Sequence, residues 1–109
     1  MADERLRALQ AYHAKDPDDA FVRFALAQEY AKRGNVEKAC ALYESLVEAQ
    51  PAYTGTYYHL GKLYASLGRS GEAAEVFRRG IAVTMRKGVA KDLSELQQAL
   101  MDLEHEQRI

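Results

Sequence analysis

Tryptophan is absent from this chain of 109 residues, cysteine occurs once and proline twice. A single cysteine, Cys40, excludes an internal disulfide, so no disulfide framework holds the fold. Its neighbours Ala39 and Ala41 mark it as a small buried hydrophobe rather than a nucleophile. An excess of charge of one sign is also missing. The formal net charge of −1 supplies no basic field to draw in nucleic acid and no acidic tail, and the charges read as solvated helix faces. No apolar run approaches the length of a membrane span. The first residues, Met1 to Arg7, run into a mixed-charge amphipathic segment without the apolar stretch of a signal peptide, so a cytoplasmic protein is expected. Strand signals are nearly absent, because no stretch alternates apolar and polar residues for more than a few positions.

What is present is apolar spacing of three and four throughout, the period of a helix. Apolar residues make up 48% and charged residues 28%, ordinary for a soluble globular protein, and the length suits one domain with a modest core. Pro17 and Pro51 both fall between periodic runs, where helices end.

The runs repeat. Leu26, Tyr30, Ala31, Gly34 and Ala39 return as Leu60, Tyr64, Ala65, Gly68 and Ala73, each about 34 places later. Ala27 is matched with Gly61, Leu42 with Val76, Tyr43 with Phe77 and Pro17 with Pro51. A fixed period of this size signals stacked structural units. Six helices follow. The first is expected over residues 3–16, with Leu6, Leu9 and Tyr12 or His13 on one face. The second runs from Asp19 to Arg33 after an Asp18 cap. The third covers 36–49 after an Asn35 cap, and the fourth covers 54–67. The fifth covers 71–85 after a Ser70 cap. The sixth covers 92–107, opened by an Asp92–Glu95 capping box. Gly34 and Gly68 fit the left-handed residue that closes a helix. Short loops force neighbouring helices to pack antiparallel.

These residues resemble the tetratricopeptide repeat (TPR). In residues 54–85 the family pattern reads Tyr57, Leu60, Gly61, Tyr64, Ala73, Phe77 and Gly80, with Met85 in place of the terminal proline. In residues 20–51 it reads Leu26, Ala27, Tyr30, Ala39, Tyr43 and Pro51, departing at Arg23, where the family prefers tryptophan, and at Leu46, where it prefers a small residue. The resemblance implies an all-α, right-handed α-solenoid: two TPR helix pairs, 20–51 and 54–85, with an N-terminal helix at 3–16 and a capping helix at 92–107, in one domain spanning 1–109. The N-terminal helix looks like the second half of a decayed earlier repeat, since Ala8, Leu9 and Pro17 align with Leu42, Tyr43 and Pro51.

The resemblance also implies a function. In such proteins the first helix of each pair lines a concave groove that takes a peptide, so the site expected here is Phe21, Phe24, Gln28 and Lys32 from one pair and Tyr58, His59 and Lys62 from the next. The competing reading is that the terminal helices cover these rings. The carboxylate clamp of the family's chaperone-binding members is missing, because Phe24, Gln28 and His59 stand where its lysine and asparagines would be. The expected role is a non-enzymatic interaction module with a protein or peptide partner and no cofactor, nucleic acid or membrane. The module is expected to be a monomer. The alternative is a structural protein that self-associates through the sixth helix, whose stripe of Val89, Leu93, Leu96, Leu100 and Leu103 either packs on the fifth helix or pairs with a second copy.

Other chemistry has little to stand on. His13, His59 and His105 have no ligand spacing among them. No glycine cluster forms a phosphate loop, and nothing places a histidine beside Cys40 for nucleophilic catalysis. Arg78, Arg79, Arg86 and Lys87 gather toward the end of one helix, where the helix dipole already accounts for basic residues.

Overall fold

Two glycines shape the helical hairpins in the same way. Gly34 and Gly68 have φ of 81° and 76°, a backbone conformation open to glycine at no steric cost. At each, the following amide reaches back to a tyrosine carbonyl, Asn35 to Tyr30 at 2.8 Å and Arg69 to Tyr64 at 2.9 Å. Orphan carbonyls at the helix ends are thereby satisfied and the chain reverses.

The structure, a computed structural model, describes residues 2–108, so Met1 and Ile109 of the expected 1–109 domain lie outside the described residues. It contains α1 (Ala2–Lys15), α2 (Ala20–Lys32), α3 (Val36–Ala49), α4 (Gly55–Ser66), α5 (Ser70–Lys87) and α6 (Ala90–Arg108). Among the described residues there is no strand. The helices gather into two compact units, Met1–Gln50 with α1 to α3 and Pro51–Ile109 with α4 to α6.

In the first unit α2 and α3 form the hairpin. Ala27 and Ala39 are fully buried, and Leu26, Tyr43, Leu46 and Val47 close around them. Cys40 is buried with this set, as a small hydrophobe would be. Phe24 meets the Tyr43 ring edge-on, with centroids 5.8 Å apart. α1 lies against α2, with its Leu6 and Leu9 half-buried, and charge ties the two helices together. The Glu29 carboxylate is buried and accepts from Arg5 Nε and Arg33 Nε, each at 3.2 Å, while Arg33 Nη1 also donates to Asp3 at 3.0 Å. The two candidates for the inner face of α1 are resolved: Tyr12 is 59% exposed and His13 is half-buried, its Nδ1 covered without a hydrogen-bond partner.

In the second unit α4 and α5 form the hairpin, and α6 packs on α5 and on α4. Two glycines permit close approach. A Cβ on Gly61 would lie 2.3 Å from Phe77 Cε1, and one on Gly80 would lie 2.5 Å from Tyr57 Cβ and 3.0 Å from Leu96 Cδ1. Tyr57, Phe77 and Leu96 are fully buried around these contacts. Each such apolar side chain contributes roughly 1.5–3 kcal/mol. Leu103 and Ala99 extend the buried face of α6, with Leu93 and Leu100 half-buried beside them. The leucine stripe thus contributes to the core of the unit.

Three caps differ from the sequence expectation. Asp19, not Asp18, caps α2, its carboxylate accepting from the Val22 amide at 3.2 Å, and Asp18 pairs with Arg23 instead. Arg69 holds the cap position of α5 without a side-chain cap bond, and Ser70 is already helical. α6 begins at Ala90, so Asp92 sits inside its first turn and accepts a hydrogen bond from the Thr54 hydroxyl rather than capping. Asn35 caps α3 as expected, accepting from the Lys38 amide.

Candidate functional site: the seam between α4 and α6

Thr54 precedes the first residue of α4 and its hydroxyl donates to Asp92 at the start of α6, while Lys62, further along α4, shares a hollow with Gln98 and Asp102 of α6. The two helices therefore run side by side in the same sense. On α4, Gly55, Tyr58, His59 and Lys62 recur at steps of three and four and so occupy one face. On α6, Lys91, Glu95, Gln98 and Asp102 do the same. Between these faces lie two hollows. One, of about 230 Å³, has His59, Lys91 and Asp92 on its walls. The other, of about 340 Å³, has Lys62, Gln98 and Asp102. Tyr58 and Glu95 line both, so the hollows adjoin at these two side chains, the waist of the trough. Buried Leu96 and Ala99 form part of its floor.

The electrostatics are mixed. Tyr58 and His59 are half-buried, their rings edge-on with centroids 5.5 Å apart. Burial holds the His59 imidazole below its ordinary pKa, and the nearby Glu95 carboxylate opposes that shift without reversing it. Asp102 accepts from the Gln98 amide at 2.9 Å. Lys62, Lys91 and Glu95 are exposed. Preformed helical walls carrying donors, carboxylates and an aromatic face suit recognition of another chain's side chains. Among the described residues no group of three His, Cys, Asp or Glu side chains is placed to hold a metal ion, and no helix is long and apolar enough to cross a membrane.

Of the site residues expected from sequence, Tyr58, His59 and Lys62 come together in this trough. Phe21, Phe24, Gln28 and Lys32 lie on α2, in the first unit. Phe21 is 69% exposed, and Gln28 and Lys32 are exposed. Phe24, expected to line the groove, is half-buried, with its ring edge-on to Tyr43. The α6 wall was missed. Its signal in the sequence is the polar set at positions 91, 95, 98 and 102, which flanks the leucine stripe at helical spacing. α6 thus adds a second wall beside Tyr58 and leaves that ring partly open.

Comparison with known proteins places this geometry. The family profile of the tetratricopeptide repeat matches residues 2–54 and again 24–84. A crystal structure of a tetratricopeptide repeat domain protein from Salinibacter ruber is 52% identical and superposes with a TM-score of 0.78, covering 80% of this chain and 97% of that one. A TPR repeat-containing protein of Pseudomonas aeruginosa is 29% identical over 83 residues, 76% of this chain and 79% of its own length. The TPR2B domain of yeast Sti1, solved in complex with pHsp70, is 16% identical with a TM-score of 0.85, over 93% of this chain and 81% of that one. A repeat read first from matched residues 34 apart thus has both a sequence profile and solved folds behind it. The chain belongs to the tetratricopeptide repeat family.

Proposed function

We propose that this protein is a non-enzymatic, cytoplasmic interaction module that holds a segment of a partner protein in the trough between α4 and α6. The observation that carries the reading is the waist: two adjoining hollows share Tyr58 and Glu95, so a linear chain can lay successive side chains along one continuous path. One hollow lies below the range for small-molecule pockets, roughly 300–1,000 Å³, and the other just inside it, which favours side chains of a polymer over a whole small ligand. Supporting precedent comes from the same fold in the yeast Sti1 domain, which is bound to a pHsp70.

The mechanism is complementarity to a preformed surface. The trough residues stand on helices whose cores are already packed, so little ordering is required on binding. Affinity is modest, of order micromolar, because the area is small. The α2 residues expected in the same groove, Phe21, Gln28 and Lys32, are exposed, and Phe24 is half-buried.

Selection of displayed random peptides on the immobilised full chain tests the reading. Selected peptides are expected to lose at least about tenfold in affinity, about 1.4 kcal/mol, for a Tyr58→Ala, Lys62→Glu double variant that remains folded by circular dichroism. Peptides that bind the double variant as well as the parent would remove the trough from the account.

A further inference from the structure

We infer that the trough is built to seat a cationic side chain, lysine or arginine, of the partner segment at the waist between Tyr58 and Glu95. This deepens the peptide-binding reading and rests on it. Glu95 is exposed, lines both hollows, and forms no hydrogen bond or ion pair among the described residues. The other two acids of the trough are already engaged, Asp92 with the Thr54 hydroxyl and Asp102 with the Gln98 amide. The carboxylate at the centre is therefore the one acid of the trough without a hydrogen-bond or ion-pair partner among the described residues, and the His59 imidazole beside it is held toward its neutral form by burial.

Tyr58 supplies the second half of the seat. Its ring is half-buried, stands at 90° to the His59 ring, and lines both hollows as Glu95 does. A cation held beside a carboxylate and against an aromatic face gains from both the ion pair and the ring quadrupole. The lysines do not share the waist. Lys91 lines only one hollow and Lys62 only the other, so each stands toward an outer end. The resulting pattern is negative at the centre with a positive group to either side. It matches a segment with a base in the middle and tolerates acids flanking it. An acidic side chain at the waist would instead be brought beside an uncompensated carboxylate, a like-charge contact that selects against it.

The test uses the same displayed random-peptide library on the full chain, with the charge composition of the selected set as the readout. Enrichment of Lys or Arg at one position is expected. Replacing that residue by Gln in a synthetic copy, or Glu95 by Gln in the protein, should weaken binding by about fivefold. The Glu95→Lys variant, selected afresh, should enrich Asp or Glu at the same position. Tyr58→Phe should retain binding, because the ring face is kept, while Tyr58→Ala should not. Peptides that require Tyr58 yet show no basic enrichment, or ignore Glu95→Gln, would overturn the charge assignment and leave the trough itself standing. Failure to select any peptide, or selection of peptides indifferent to both Tyr58→Ala and Lys62→Glu, would overturn both.

Discussion

The two units build the same hairpin from different side chains. In the second, fully buried Tyr57 packs against Gly80, and its hydroxyl donates to the Pro51 carbonyl. One period earlier these positions hold Arg23, Leu46 and Pro17. Arg23 Nε donates to the Pro17 carbonyl at 2.7 Å, and Leu46 is fully buried. The neighbouring carbonyl behaves alike: Gln50 Nε2 donates to Asp18 at 3.1 Å, and Lys87 Nζ donates to Ala52 at 2.8 Å. The repeat therefore preserves which backbone acceptors in the turn are satisfied and how much volume sits between the helices, while residue types vary. A large aromatic with a glycine is exchanged for a long polar chain with a leucine, and the packing closes either way.

The flanking helices contrast as well. α6 is held by buried leucines, α1 by half-buried leucines and a carboxylate shared between two guanidinium groups. The largest expected effect follows. A fragment ending at residue 88 loses Leu96, Ala99 and Leu103 and uncovers α5. It should aggregate or lose its cooperative melting transition, and a soluble fragment with a sharp melt would contradict the account. Next is the volume exchange. Gly80→Leu should cost about 3 kcal/mol or more by forcing a side chain into Tyr57 and Leu96. Adding Tyr57→Arg, which copies the first unit, should recover part of that loss. Denaturant unfolding of the four-variant cycle would show additive losses if the two positions were independent.

Glu29→Ala comes third, at about 1–3 kcal/mol, because it removes the buried acceptor that ties α1 to α2. Hydrogen exchange should rise in α1 and hardly change in α6; equal change in both would refute the division of labour. The smallest effect is pH dependence in the second unit. His59 titrates below its ordinary value of 6.5 in the fold, so between the two values the unfolded chain binds the extra proton. Stability should rise modestly with pH across that window and be flat for this group above it. His59→Gln should remove the slope, and a slope that survives the substitution would assign it elsewhere.

Much of this was legible in the chain. Gly34 and Gly68 announced the turns because a left-handed backbone favours glycine, and the small residues at 27, 39, 61 and 73 announced close helix contacts. The misplaced or undecided positions lie where sequence offers adjacent alternatives. Asp18 and Asp19 are chemically equal as caps, and the backbone turn alone chooses between them. Tyr12 and His13 are three and four residues beyond Leu9, both compatible with one helical face, and packing admits the histidine. The α6 wall of the trough escaped because polar residues at helical spacing look like any solvated face until a neighbouring helix gives them something to enclose.

The trough itself is tested most directly by amide chemical-shift mapping of the isotope-labelled full chain with a selected peptide. The account predicts saturable shifts centred on residues 55–62 of α4 and 91–102 of α6, abolished by Tyr58→Ala. Shifts confined to α1 and α3, or unchanged in that variant, would contradict it.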